Sequence, residues 1–191
     1  MRKAVLITAI GVFLAAAAVA QQPAPKQQPR TLASEMDRQL KGLEGEFVPA
    51  AEAMPEDKFD FAPTNGEFKG VRNFGQQVKH VAAVNYIICA SMTGEKPPVD
   101  TGGENGPDTA KSKDQITQFL KDSFAYCHKA YSSLNQKNAV QEIKGPFGST
   151  TTRLGLATLN VGHNFDHYGQ MVEYLRMNGI IPPASRPQQG P

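Results

Sequence analysis

Apolar side chains recur along this chain at intervals of three and four, the period of one helix face, in four separate stretches. The first runs from about Thr31 to Met54, with Leu32, Met36, Leu40, Leu43 and Phe47 on one side and Pro55 closing it. The second spans roughly Val71 to Met92. Phe74, Val78, Val81, Asn85 and Ile88 mark its face, and Thr93-Gly94 followed by Pro97-Pro98 stops it. The third covers about Lys113 to Leu134, with Ile116, Leu120, Phe124, Cys127, Tyr131 and Leu134 inward. The fourth runs from about Arg153 to Met177 and halts at Asn178-Gly179.

The connections refine this pattern. Glu56 to Lys69 is irregular, with Pro63 and Asn65-Gly66 as turn signals. Pro97 to Lys111 is a long Gly/Pro/Asp segment. Antiparallel neighbours need only a short loop, so this length predicts a crossover that leaves the second and third helices parallel. Gln141 to Thr152 has the composition of a short hairpin, with Ile143 and Phe147 as its apolar members. The expected fold is all-α: a four-helix bundle over residues 31–183, with a long crossover between helices 2 and 3 and a short hairpin before helix 4.

The ends change the expected address. Arg2 and Lys3 precede an apolar run from Val5 to Ala18, and Ala18-Val19-Ala20 offers small residues for cleavage after Ala20. Residues 1–20 therefore read as a signal peptide, 21–30 as a Pro/Gln-rich flexible leader and 184–191 as a flexible tail. The apolar run is shorter than the ~20 residues of a membrane span. The expected location is periplasmic or secreted, with no membrane association after cleavage. The formal charge of +2 includes Arg2 and Lys3, so the mature chain is near neutral and lacks the basic face that nucleic-acid binding needs.

Cys89 and Cys127 are the only cysteines. An oxidising compartment permits a disulfide between them, yet both lie on apolar stripes, where cysteine is often simply buried. Without CxxC or CxxCH, thioredoxin-like redox work and covalent haem attachment are disfavoured.

The chemistry concentrates in histidine. His163 and His167 stand four residues apart on the fourth helix, ~6 Å along one face, a spacing that lets two imidazoles grip one ion. Asn160, His163, His167, Gln170, Met171 and Tyr174 form one broad stripe, and His80 lies within the apolar second helix. Three neutral nitrogen ligands leave coordination positions open, as in metal sites that do chemistry. The candidate ligands are His80, His163 and His167. His128, beside Cys127, reads as a surface or flank residue, and Asp166 and Glu173 are candidate partners for an imidazole N–H. No HExxH occurs, so the metalloprotease arrangement is missing. A haem bundle with His and Met ligands is the poorer fit, because i, i+4 histidines suit a single ion better.

With these features, the chain resembles the DinB/YfiT-like superfamily. Phe74-Gly75-Gln76-Gln77-Val78-Lys79-His80 looks like its second-helix motif, and Gly162-His163-Asn164-Phe165-Asp166-His167-Tyr168 like its fourth. Tyr174-Leu175-Arg176-Met177-Asn178-Gly179-Ile180-Ile181-Pro182-Pro183 is similar to the family's usual ending, and Lys58-Phe59-Asp60-Phe61-Ala62-Pro63 to its first connection. The resemblance implies a divalent metal, zinc or nickel, on His80, His163 and His167, a small-molecule substrate and a homodimer. It also implies a hydrolase or transferase that activates water or a thiol. The alternative is a non-catalytic periplasmic metal- or ligand-binding bundle. The family often carries a Trp before the second helix; this chain has none, which leaves Phe68 or Phe74 to fill that space. Because imidazole must be neutral to bind, metal affinity is expected to fall below pH ~6.5.

Overall fold

The computed structural model describes residues 29–187; the expected signal segment and nearly all of the leader lie outside the described residues, as does the end of the tail. Four helices carry the chain: α1 (Leu32–Ala53), α2 (Phe74–Thr93), α3 (Lys113–Ser132) and α4 (Arg153–Met177). Each begins where a polar side chain can cap it. Thr31 with Ser34, Asn73 with Gln76 and Ser112 with Gln115 form capping boxes, and the Thr152 hydroxyl accepts the Gly155 N–H. The Asn73 cap explains why α2 starts at Phe74 rather than near Val71. At the other end of α1, Met54 turns extended ahead of Pro55, where a following proline disfavours helix.

Two contacts with the same offset establish that α2 and α3 run parallel. The Asn85 amide donates to Ser123 Oγ at 3.2 Å, and Cys89 pairs with Cys127, each pair being 38 residues apart. The long connection is thus the expected crossover. α4 runs antiparallel to α2, since Gln77 meets Gln170 at one end and Asn160 meets Cys89 at the other. α1 packs on α3 and α4, while α2 packs on the same two helices from the opposite side. The inward positions read from the period are buried: Leu40, Phe47, Phe74, Leu120, Phe124 and Tyr131 have no exposed surface. Each such large apolar side chain contributes roughly 1.5–3 kcal/mol of burial. The hairpin also forms, β1 (Glu142–Lys144) pairing antiparallel with β2 (Thr150–Thr152) and Ile143 standing opposite Thr151.

Two features depart from the sequence reading. The apolar stripes favoured free, buried thiols, but the parallel register brings the Cys89 and Cys127 Cα atoms within 5.3 Å, inside disulfide range, and the sulfurs are bonded. His128 is not an idle flank residue. Its Nδ1 faces Asp37 at 2.5 Å and its Nε2 faces Glu44 at 2.9 Å, so one imidazolium clamps α3 to two carboxylates of α1. Burial disfavours its charge, but the Asp37 and Glu44 carboxylates outweigh that cost and raise its pKa above the ordinary value. A raised folded pKa stabilises at pH values below the unfolded one, and the gain fades as pH climbs through the folded pKa. His128→Gln is therefore expected to lower stability at pH 5–6 by on the order of 1 kcal/mol, given half-open carboxylates, and by progressively less above pH 7. Urea unfolding of both proteins across that range checks it; a difference that grows with pH contradicts the clamp.

Candidate metal centre

His80 lies on the second turn of α2, at the antiparallel seam with α4, where His163 and His167 sit one helical turn apart. The three rings meet edge to face or tilted, with centroids 4.5–5.0 Å apart. One nitrogen from each lies within 4.8 Å of the others, an arrangement able to hold a metal ion. His80 Nε2 and His163 Nε2 stand 3.0 Å apart. Metal–nitrogen bonds of 2.0–2.1 Å put neighbouring ligand atoms roughly 3–3.4 Å apart, so the spacing fits.

Hydrogen bonds fix which nitrogen faces inward. His80 Nδ1 donates to the Glu104 carbonyl at 2.6 Å. His167 Nδ1 donates to Gln77 Oε1 at 2.7 Å, leaving the Nε2 lone pair for the site. Gln77 in turn donates to Gln170 at 2.8 Å, and Gln170 donates to Asp166 at 2.9 Å. The relay ends on a carboxylate and runs in one direction, which holds the His167 tautomer and the orientation of its ring. His163 differs: its Nδ1 is buried and has no partner. A buried polar atom without a partner costs about 1–3 kcal/mol. The site therefore fits a divalent ion through Nε2 donors, with His163 the least supported of the three.

Asp166 and Glu173, the carboxylates suggested by sequence, do not touch an imidazole. Asp166 acts two residues removed, through Gln170 and Gln77, and Glu173 is exposed. The partners that sequence reasoning missed are Gln77, buried one turn before His80, and the backbone of Glu104 in the crossover. Gln170 was visible on the α4 stripe; a backbone carbonyl has no sequence signature. Gly106 brings that loop close, because a Cβ there would sit 2.8 Å from the Lys79 Cβ on α2, and its φ of +81° suits glycine.

The histidines open onto a pocket of about 390 Å³ that also takes in Arg72, Val84, Ile88, Glu104, Phe147 and Leu159. Phe147, at the hairpin tip, supplies the aromatic wall; Phe68 and Phe74 do not line it. Burial pushes the pKa of His163 down to about 3, with help from His167 and His80. Burial likewise lowers His167 to about 4, reinforced by His80 and Arg72, and it lowers His80 as well. His163 and His167 thus stay neutral and ready to ligate well below pH 6.5, so protons compete for these two ligands at lower pH than the sequence expectation placed it.

The DinB superfamily profile matches residues 39–171. The chain belongs to the DinB superfamily. Among solved structures, a DinB-like protein from Bacillus subtilis shares 16% identity and a TM-score of 0.59, covering 76% of this chain and 92% of that one. A DinB-like protein from Bacillus cereus shares 14% at a TM-score of 0.60, with 78% and 93% covered. A histidine variant of a mycothiol-dependent maleylpyruvate isomerase shares 14% at 0.57, covering 73% of this chain and 60% of that one. These likenesses establish the DinB fold. No curated protein matches the sequence.

Proposed function

We propose that this DinB superfamily member is an exported metal-dependent enzyme, a hydrolase or transferase of a small molecule, in which His80, His163 and His167 hold one divalent ion, zinc or nickel. The observation that carries this reading is the convergence of three imidazole nitrogens on an open pocket of about 390 Å³. When bound, such an ion supplies Lewis acidity that makes a ligating water or thiol nucleophilic near neutral pH. The chain's own residues do the rest. The Glu104 carbonyl and the Gln77 amide orient His80 and His167. Val84, Ile88, Phe147 and Leu159 give the pocket an apolar wall against which a substrate body can pack.

Space beside the histidines supports turnover over a purely metal-binding bundle, in which side chains would close that face. Export is supported by the N-terminal pattern and by the disulfide, since disulfides persist in oxidising compartments. An exported location also favours hydrolysis over transfer from a cytosolic thiol.

The test uses protein purified from a periplasmic fraction, stripped with a chelator and reloaded with zinc or nickel. Elemental analysis is expected to give about one ion per chain, and a panel of aryl esters, amides and lactones to show metal-dependent cleavage. Reconstituted protein holding only trace metal would sink the reading. Stoichiometric metal without turnover on the panel, or with a thiol plus electrophile, would replace it with the binding role.

A further inference from the structure

Arg72 stands just ahead of the Asn73 cap of α2, and its backbone is tied to α4 by the Tyr174 hydroxyl, which donates to the Arg72 carbonyl at 3.0 Å. Its side chain is half-buried and lines the histidine pocket. Among the described residues the guanidinium makes no ion pair and no hydrogen bond, whereas the guanidinium groups of Arg30, Arg38, Arg153, Arg176 and Arg186 each hold a partner. Arg72 also lines a second, more polar pocket of about 600 Å³, shared with Gln77, Lys79 and His167. The cation therefore sits where the two cavities meet, beside neutral imidazoles that offer an anion no competing negative charge. Glu104 is the carboxylate on the histidine pocket, and its side chain is exposed to solvent while its carbonyl is engaged by His80. Asp108 lines the other cavity and is exposed as well.

The opposite wall has a different character. Val84 and Ile88 of α2, Leu159 of α4 and Phe147 of the hairpin turn apolar surface toward the same space, and Phe147 and Leu159 are 56% and 49% exposed. A planar guanidinium with five free donors matches a carboxylate through paired, charge-assisted hydrogen bonds. An apolar wall across from it matches a hydrocarbon body.

We propose that the pocket selects small organic carboxylates with an apolar or aromatic body, Arg72 binding the carboxylate while Phe147, Leu159, Val84 and Ile88 hold the body beside the histidines. This rests on the metal-site reading for the identity of the reacting end, and it stands on Arg72 alone for the choice of substrate class.

Calorimetric titrations with benzoate, hexanoate, benzamide and inorganic phosphate test it, run on zinc-loaded and metal-stripped protein and on the Arg72→Met and Arg72→Lys variants. Benzoate and hexanoate are expected to bind at least about 10-fold more tightly than benzamide. Arg72→Met should weaken them about 10- to 100-fold at unchanged zinc content, and Arg72→Lys should recover part of the loss. Arg72→Met binding benzoate as well as the parent would overturn the proposal, because the carboxylate would then belong to the metal. Benzamide equal to benzoate would overturn it too, and inorganic phosphate equal to benzoate would remove the apolar body from it. Failure of the metal reading appears separately, as a parent protein that takes up no zinc, and the titrations of the stripped protein still decide the role of Arg72.

Discussion

His163→Ala is expected to reduce zinc affinity by more than about 100-fold while leaving the metal-free protein as stable as its parent. Loss of a group that merely supports a ligand costs 10- to 100-fold in affinity, and removal of a ligand costs more. The stability half of the expectation follows from how the three imidazoles are held. His80 and His167 each anchor a hydrogen bond, to the crossover loop and to Gln77, so replacing either frees a structural partner as well as a ligand. His163 anchors nothing through Nδ1, which is buried without a partner. Removing it relieves that penalty, which offsets the packing and the 3.0 Å Nε2 contact with His80 lost by truncation, for a net change within about 1 kcal/mol.

The pH dependence sharpens the contrast. The His163 pKa is pushed down to about 3 by burial and its histidine neighbours. The unfolded chain takes a proton at ordinary histidine pH while the folded one refuses it, so the wild type loses stability as pH falls from ~6.5 toward that lowered value. The alanine variant lacks this loss, and its metal-free form is expected to unfold later than the parent at pH 4–5. Competition with a chromophoric chelator measures the affinity and urea unfolding measures the stability. Undiminished zinc binding by His163→Ala would remove the residue from the site.

The features legible in the sequence are those set by local geometry. Burial at i, i+3 and i+4 gave Phe47, Phe74, Leu120 and Phe124 their inward faces because a helix repeats its face within one turn. Loop length anticipated the parallel α2 and α3, since a short turn cannot return a chain to the same end. The histidine group was readable because two members share one helix face. The supporting groups were not, for a physical reason: Gln77 and Gln170 are 93 residues apart and meet only across the α2–α4 seam. Glu104 acts through its backbone. The role of His128 depends on which helix α3 packs against, and helical period is silent on that. The cysteine pair lay between these cases. Its register becomes readable once α2 and α3 are parallel, because Asn85–Ser123 and Cys89–Cys127 then share one offset of 38.

That offset gives the disulfide its expected effect on stability. Cys89 and Cys127 close a loop of 38 residues that contains the whole crossover, and both are fully buried where Asn160 approaches their sulfurs at 3.8–3.9 Å. Closing a loop of that length restricts the unfolded chain by about 4 kcal/mol on the chain-entropy estimate. For a domain of this size each kcal/mol moves the melting midpoint by about 2–4 °C, so the double variant Cys89→Ala/Cys127→Ala is expected to melt about 8–16 °C below the oxidised parent. Small cavities at two fully packed positions add to the loss rather than offset it. Because both sulfurs are inaccessible, a reductant added to the folded protein should act only after unfolding, and reduced parent should then melt close to the double variant. The same protein produced in the cytosol and in the periplasm is expected to show that difference between the two preparations, with thiol titration in denaturant finding two thiols in the first and none in the second. Zinc affinity serves as the internal control: the disulfide lies more than two helical turns from His80 along α2, so the folded double variant should bind zinc within about 3-fold of the parent. An unchanged melting midpoint would mean that the α2–α3 seam, rather than the covalent link, holds the crossover closed.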